Sequence, residues 1–353
     1  MDRIKLVFSC DNNYFLGLAG TLTSLLLFSS THEIDIHIID GGISDENHKK
    51  LTRIVNLVSP KVKLIIIKPD LSLFDHLPAF SNNSMMTYAR LLIPELIKAS
   101  KVIYVDTDIL FTKDIKELWQ LPLNGKTVAA GLDFGNENIG MDCSICDDLR
   151  ISSKEPYFNA GLLVIDLNAE RENNIMQKTM QYINTYPEQC RFHDQSGLNV
   201  ILHKDVLFLD QSWNTQSRND TFEYANEPSK IIGGYNYHFV LGRKPWMFYD
   251  EGAAHMVFVY LLKKLGFNYK NDFYEKSKRD FYIKKTLFPF FPFYYKTRGK
   301  LLFFIKGRSP QSDYITADYW EKVKIERHVQ QINNKIDIHK LYALIDNIIK
   351  KIK

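Results

Sequence analysis

The sequence predicts an α/β protein with a mostly parallel central sheet, on three observations. Short apolar runs alternate with segments of helical spacing through the first hundred residues. Those runs are rich in Ile, Val and Leu, as strands covered on both faces require, although Asp35 and His37 interrupt the second. Polar or glycine-bearing breaks separate each run from the helical segment that follows. Strands joined through helices are βαβ units, and in such sheets ligands bind beyond the carboxyl ends of the strands.

Taken in order, Ile4–Ser9 is the first strand, and Asp11-Asn12-Asn13 breaks it. Phe15–Phe28 is an apolar helix of about four turns. Ile34–Ile39 is the second strand, closed by Gly41-Gly42, and Ser44 three residues before Asn47 opens the next helix. Val62–Ile67 is a third strand, Arg90–Lys98 is helical around Pro94, and Val102–Val105 is a fourth strand. Further on, Val128–Leu132, Leu162–Leu167 and Val206–Leu209 suit strands, while Asn173–Thr185, Ser196–Leu202 and Glu251–Leu265 suit helices. Asp337–Ile352 is an amphipathic helix whose apolar stripe includes Ile338, Tyr342, Ile345 and Ile349. The parallel rule singles out two places, Cys10–Tyr14 and Asp106–Asp108.

Composition narrows the function classes. With 45% hydrophobic and 24% charged residues in 353, the chain can bury a core and is neither fibrous nor disordered. Forty-five basic against 41 acidic residues leave +4, too little to argue for nucleic acid. The basic charge is concentrated instead: residues 281–308 hold seven Lys or Arg, ten aromatics and no acid. No run of ~18 apolar residues suggests a spanning helix. Asp11 interrupts the N-terminus before a signal-like core develops, so the protein is expected to stay in the cytoplasm. Cys143 and Cys146 form one C-x-x-C without a second pair to complete a zinc site. Two units are expected, a catalytic domain over 1–265 and a basic, aromatic and helical extension over 266–353.

Four clusters could carry chemistry. Asp106-Thr107-Asp108 ends the strand Val-Ile-Tyr-Val, and two carboxylates leaving a strand can converge on one hard cation. A solvated strand end has the same sequence. His238, with Gly242, Arg243, Lys244, Pro245 and Trp246 close behind, could add an imidazole ligand and cations for phosphate. A surface loop with a packed Trp is the plainer reading. Tyr157-Phe158-Asn159-Ala160-Gly161 could let a sugar lie against backbone, or could be a tight turn before a strand. Asp194-Gln195 could bond a sugar hydroxyl and face its reacting carbon, although an Asp there is commonly a helix cap. Arg90 could pair with a pyrophosphate or with Asp106. Gly17-Leu18-Ala19-Gly20 does not fit the G-x-G-x-x-G dinucleotide fingerprint.

Together these pieces resemble glycosyltransferase family 8, most closely its bacterial lipooligosaccharide and lipopolysaccharide α-galactosyl- and glucosyltransferases. The matching stretches are VFSCDNNYFLGL (7–18), HIIDGGIS (37–44), MMTYARLLIPELI (85–97), KVIYVDTDILF (101–111), YFNAGLLVIDL (157–167), DQSGLN (194–199) and HFVLGRKPW (238–246). The resemblance implies a GT-A fold and a retaining transfer of galactose or glucose from a UDP-sugar to a lipid-linked or oligosaccharide acceptor. By that likeness Asp106, Asp108 and His238 hold Mn²⁺, with Mg²⁺ the alternative, and Thr107 lies between the two carboxylates. Asp11, Asn13 and Tyr14 line the uracil and ribose pocket. Arg90, Asn159, Asp194 and Gln195 meet the donor sugar, and Lys244 meets the diphosphate. The catalytic pair is expected to be Gln195 and Asp194. Leu241, Arg243 and segment 134–156 depart from the pattern, and that segment is expected to cover donor or acceptor. The basic aromatic tail resembles membrane-attaching tails, placing the enzyme at the inner face of the cytoplasmic membrane. Two other readings stay open, a non-catalytic nucleotide-sugar-binding protein and a D-x-D phosphatase. The phosphatase class needs Thr or Val where Leu110 stands.

Overall fold

The computed structural model describes residues 3–77, 85–216, 234–240, 244–250 and 252–287, with 342, 343, 345–347 and 350 nearer the C-terminus. The expected positions Leu241, Gly242, Arg243, Ile338 and Ile349, and most of the basic stretch 281–308, lie outside the described residues.

The chain opens on strand β1 (Ile4–Cys10), a 3₁₀ turn (Asn12–Tyr14) and helix α1 (Phe15–Phe28). β2 (Ile34–Asp40) and α2 (Asp45–Val58) follow, and Ser44 caps α2 by accepting the Asn47 N–H. Then come β3 (Lys63–Ile67), a 3₁₀ helix (Tyr88–Leu92) that runs into the short α3 (Ile93–Leu96), and β4 (Lys101–Val105). The helix expected over 90–98 is thus a 3₁₀ segment that passes into one α turn and ends at Leu96, with Pro94 in the first turn of α3, where its missing N–H costs nothing.

β5 (Ile109–Leu110), α4 (Ile115–Gln120), β6 (Val128–Leu132) and β7 (Phe158–Asp166) come next. α6 (Ile175–Thr185) is the helix expected over 173–185; α5 (Leu167–Asn173) is an additional helix before it, separated from α6 by Asn174 at a left-handed φ of 52°. The chain continues through α7 (Asp194–Leu202), β8 (Val206–Phe208), β9 (Thr215–Gln216), β10 (Tyr237–His238), α8 (Ala253–Lys264) and α9 (Asp272–Leu287).

Seven strands form the main sheet in the order β3-β2-β1-β4-β7-β6-β8. Every neighbouring pair is parallel except the two that involve β7. The expected mostly parallel sheet is present, with one strand reversed. Apolar side chains pack on both faces: Leu6, Phe8, Ile36 and Leu162 join one cluster, while Val7, Ile39, Tyr104 and Leu163 join the other.

β7 begins four residues before the expected strand, so Phe158–Gly161 is not a turn. Its small residues sit in strand, where Gly161 allows a close approach described below. Because β7 runs backwards, its first residues lie at the same edge as the last residues of β4 and β6. α7 is tied to that edge by Asn199, whose Oδ1 accepts the Phe158 N–H at 2.7 Å and whose Nδ2 donates to the Phe158 carbonyl at 2.8 Å.

A second, three-stranded sheet, β5-β10-β9, stands at the same edge. His238 pairs with Ile109 and with Gln216, and the Phe239 N–H donates to the Asp108 carbonyl at 2.9 Å. Toward the C-terminus, Ile345 is fully buried and Tyr342 stacks on Tyr260 of α8 at 4.0 Å between ring centroids. These two members of the expected C-terminal stripe therefore pack against α8.

Candidate active site

Strand order brings the two places picked from sequence side by side, since β1 and β4 are neighbours whose chains depart in opposite directions. There the edge opens into a cleft of about 720 Å³. Asp11, Tyr14, Arg90, Asp106, Thr107, Asp108, Asn159, Asp194, Gln195, His238 and Lys244 all line it. Of the expected site residues, Asn13 alone is not in the lining; it is exposed and gives its backbone N–H to Asp11 Oδ1 at 2.9 Å.

At the head of the cleft, one ligand atom from each of Asp106, Asp108 and His238 lies within 4.8 Å of the others. His238 Nε2 is 3.1 Å from Asp108 Oδ1 and 3.8 Å from Asp106 Oδ2. The mini-sheet closes a separation of 130 positions, because β10 lies antiparallel to the strand that follows Asp108. Gly161 leaves the space: a Cβ there would stand 2.2 Å from His238 Cε1 and 2.8 Å from Asp106 Oδ2. Two carboxylates and an imidazole suit a divalent cation such as Mn²⁺. Asp108 Oδ1 is buried with no hydrogen bond among the described residues, as a ligand oxygen awaiting a cation would be.

The cations are buried beside their counter-charges. Lys244 Nζ pairs with Asp108 Oδ2 and donates to the Phe239 carbonyl at 2.7 Å. Burial alone would raise the Asp108 carboxyl, but the Lys244 ammonium beside it holds it well below the usual carboxylate range. Arg90 spans the floor, with Nη2 at 3.1 Å from Asp106 Oδ1 and Nε at 2.8 Å from Asp194 Oδ2. Its guanidinium also lies over the Tyr104 ring at 4.4 Å. Burial disfavours its charge, and Asp106 and Asp194 more than restore it. Five carboxylates and three Lys or Arg side chains line the cleft among the described residues, so the lining is short of positive charge.

Across Arg90 from Asp106, Asp194 is not a cap. His193 occupies the cap position at φ 55°, and the Asp194 side chain turns to Arg90 and accepts from Thr87 Oγ1. Burial pushes its carboxyl up to about 6, against the pull of Arg90. Gln195 is pinned at both ends, its Oε1 accepting the Ala160 N–H at 2.9 Å and its Nε2 donating to Asp133 Oδ2 at 3.3 Å. Asn159 Nδ2 donates to the same oxygen at 3.1 Å.

Sequence reading missed Asp133, Tyr104, Thr87 and Asn214. Asp133 had a signal: it leaves β6 as Asp106 leaves β4, and the same strand-end rule would have found it. Tyr104, whose OH donates to Asp106 Oδ1 at 2.8 Å, and Asn214, at 3.0 Å from His238 Nδ1, had none. Segment 134–156 is a wall docked on the sheet: Ile139, Cys143, Cys146 and Ile151 are buried in a core cluster, while Met141 lines the cleft. That burial raises the Cys146 thiol to about 11, which suits packing and not redox chemistry.

Residues 5–249 match glycosyl transferase family 8. The chain belongs to that family. General stress protein A of Bacillus subtilis is 32% identical over 262 residues, 69% of this chain and 88% of that protein. The lipopolysaccharide 1,3-galactosyltransferase of Salmonella typhimurium is 24% identical over 69% of this chain and 73% of its own length. Among solved structures, galactosyltransferase LgtC in complex with donor and acceptor sugar analogs superposes with a TM-score of 0.61, at 24% identity over 75% of this chain and 97% of that one. The fold is therefore the expected GT-A type. As a family 8 glycosyltransferase related to lipopolysaccharide glycosyltransferases, the chain leaves no place for the phosphatase alternative.

Proposed function

We propose that this family 8 member is a retaining α-glycosyltransferase that moves galactose or glucose from a UDP-sugar to a lipopolysaccharide or lipooligosaccharide acceptor. It would act with Mn²⁺ at the inner face of the cytoplasmic membrane. The observation that carries the reading is the convergence of Asp106, Asp108 and His238 in one cleft with Asp194 and Gln195, Arg90 bridging Asp106 to Asp194.

Asp106, Asp108 and His238 would hold the cation, which when bound neutralises charge on a departing diphosphate. The remaining work falls to the chain itself. Asp11 folds the turn after β1 by accepting the Asn13 and Tyr14 N–H groups, and this presents the Tyr14 ring to the uracil end. Lys244 sets a fixed positive charge beside the phosphate oxygens, where stabilisation of a leaving anion counts most. Arg90, Asn159 and Asp194 position the donor sugar.

Asp194 is 1% exposed and engaged by Arg90 and Thr87, so it makes a poor nucleophile. Gln195 is a neutral amide held at both ends. These features support front-face transfer over a covalent glycosyl intermediate. The acceptor oxygen bonds to the anomeric carbon as the bond to phosphate breaks, and the acceptor proton passes to the departing phosphate oxygen. Gln195 stabilises the cationic carbon between them.

UDP release from UDP-galactose and UDP-glucose, measured with Mn²⁺ and with chelator, tests the proposal. Metal-dependent release supports it. Tight UDP-sugar binding with no release, even with a lipooligosaccharide acceptor, would point to the non-catalytic binding protein instead.

A further inference from the structure

Asn214 belongs to no motif read from the sequence, yet it is 2% exposed and touches the metal-ligand cluster. It stands just before β9, and Gly131 makes room for it, since a Cβ at 131 would lie 3.0 Å from the Asn214 Cβ. Its hydrogen bonds form part of a chain whose direction is set from outside. The Gly161 backbone N–H, which can only donate, lies 3.0 Å from Asn159 Oδ1. Asn159 must therefore turn its NH₂ toward Asp133 Oδ2 at 3.1 Å, a carboxylate suited to receive it. Both ends of that amide agree, so its orientation is fixed.

Asn214 then has one choice. Its Nδ2 donates to Asn159 Oδ1 at 2.9 Å, which leaves its Oδ1 facing His238 Nδ1 at 3.0 Å. An oxygen lone pair in that place requires a proton on Nδ1. We infer that Asn214 is a positioning residue that holds His238 in its Nδ1–H tautomer, so that the Nε2 lone pair is turned to Asp106 and Asp108.

The tautomer matters because the local alternative is attractive. An Nε2–H tautomer would donate to Asp108 Oδ1, only 3.1 Å away, and would place a hydrogen where a cation belongs. Asn214 opposes that outcome from the far side of the ring. Such an outer hydrogen bond typically changes metal affinity by 10–100-fold. The chain continues through Asn159 and Asp133 to Gln195, so one run of hydrogen bonds orients both His238 and Gln195. The inference rests on the metal role proposed above, but the tautomer itself is decided without metal.

The test is long-range ¹H–¹⁵N spectroscopy of histidine-labelled, metal-free protein at about pH 8.5, where an ordinary imidazole is neutral. The His238 signals are assigned by their loss in His238→Gln. The wild type is expected to carry its proton on Nδ1. Asn214→Ala is expected to move it to Nε2 and to weaken Mn²⁺ binding, read by electron paramagnetic resonance, by about 10–100-fold. Asn214→Asp keeps an acceptor facing Nδ1 and is expected to retain the wild-type tautomer. A wild-type ring protonated on Nε2 or on both nitrogens overturns the inference, whether or not the variants fold. So does Asn214→Ala with unchanged tautomer and unchanged Mn²⁺ affinity. A wild type that carries Nδ1–H but binds no Mn²⁺ upholds the tautomer and sinks the metal-dependent function.

Discussion

Gly161→Ala puts the heaviest load on the proposed centre with the smallest change in chemistry. One methyl group would enter 2.2 Å from His238 Cε1, 2.9 Å from His238 Nδ1 and 2.8 Å from Asp106 Oδ2. Ordinary contact begins near 3.4 Å, so the imidazole carbon would have to retreat by about 1.2 Å. The ring is buried, held by Asn214 on one side and carried on a strand paired along both edges. Ligand distances at a metal tolerate only ~0.2 Å, and a ~1 Å misplacement typically costs about 10²-fold in rate. We expect kcat/KM for Mn²⁺-dependent UDP release to fall by about 10²-fold, or ~2.7 kcal/mol of transition-state stabilisation. Overpacking should cost ~1–3 kcal/mol of stability, which a domain of ordinary stability survives. Steady-state UDP release and Mn²⁺ titration, each beside a urea unfolding curve, separate the two effects. Wild-type turnover and cation affinity in a folded Gly161→Ala protein would refute the assignment of this cluster as the centre.

Asp108→Asn should reduce Mn²⁺-supported UDP release to background, and it should lower the melting temperature because the buried Lys244 loses its carboxylate, a change of ~3 kcal/mol; full activity in chelator would count against the reading. UDP should bind far more weakly by calorimetry without Mn²⁺ than with it, because five carboxylates outnumber three cations in the lining. Equal affinity would mean that the described cations suffice for the diphosphate. Asp35 tests pH dependence: burial works to raise its carboxyl, but Lys5 and Arg3 overcome that and hold it below its ordinary value of 3.8. A lowered carboxylate stabilises above the unfolded value and loses that contribution as pH falls through the folded one. The urea midpoint of Asp35→Asn should thus trail wild type at pH 7 and converge with it in acid; a gap independent of pH would refute the assignment. Replacing Lys296, Arg298, Lys300, Lys306 and Arg308 by Gln should reduce sedimentation with anionic vesicles while leaving turnover on a soluble acceptor unchanged. Deletion is a poorer test of the membrane role, because Ile345 and Tyr342 pack on α8.

The parts of this molecule legible in its sequence are those in which chemistry and local pattern coincide. β1, β2 and β4 are largely apolar runs with polar exits, and a parallel sheet turns such exits into one edge, so the sequence alone puts Asp11 and Asp106 at the same edge. β7 was misread in its first half for a physical reason. Asn159, Ala160 and Gly161 have the composition of a turn, but the strand is buried between β4 and β6, and the missing side chain of Gly161 makes space for His238. Gly17 was likewise visible only as a failed dinucleotide fingerprint; it is there because a Cβ would stand 2.5 Å from the Thr107 carbonyl and 2.4 Å from the Trp246 ring.

The reversed strand explains how the cleft is built. A wholly parallel sheet would send the first residues of every strand to the edge opposite the ligand, and Asn159 could not reach Asp133. Reversing β7 brings the start of that strand beside the ends of β4 and β6, and with it the Ala160 and Gly161 N–H groups that orient Gln195 and Asn159. Those two backbone donors set the direction of every amide from Gln195 to Asn214, and through Asn214 the face that His238 turns to the carboxylates. The side chains that do chemistry can be guessed from their kinds, because Asp, His and Lys are conspicuous. The groups that aim them are backbone N–H donors and an amide such as Asn214, which carry no distinguishing mark in a sequence and acquire their roles only from the direction in which a strand runs.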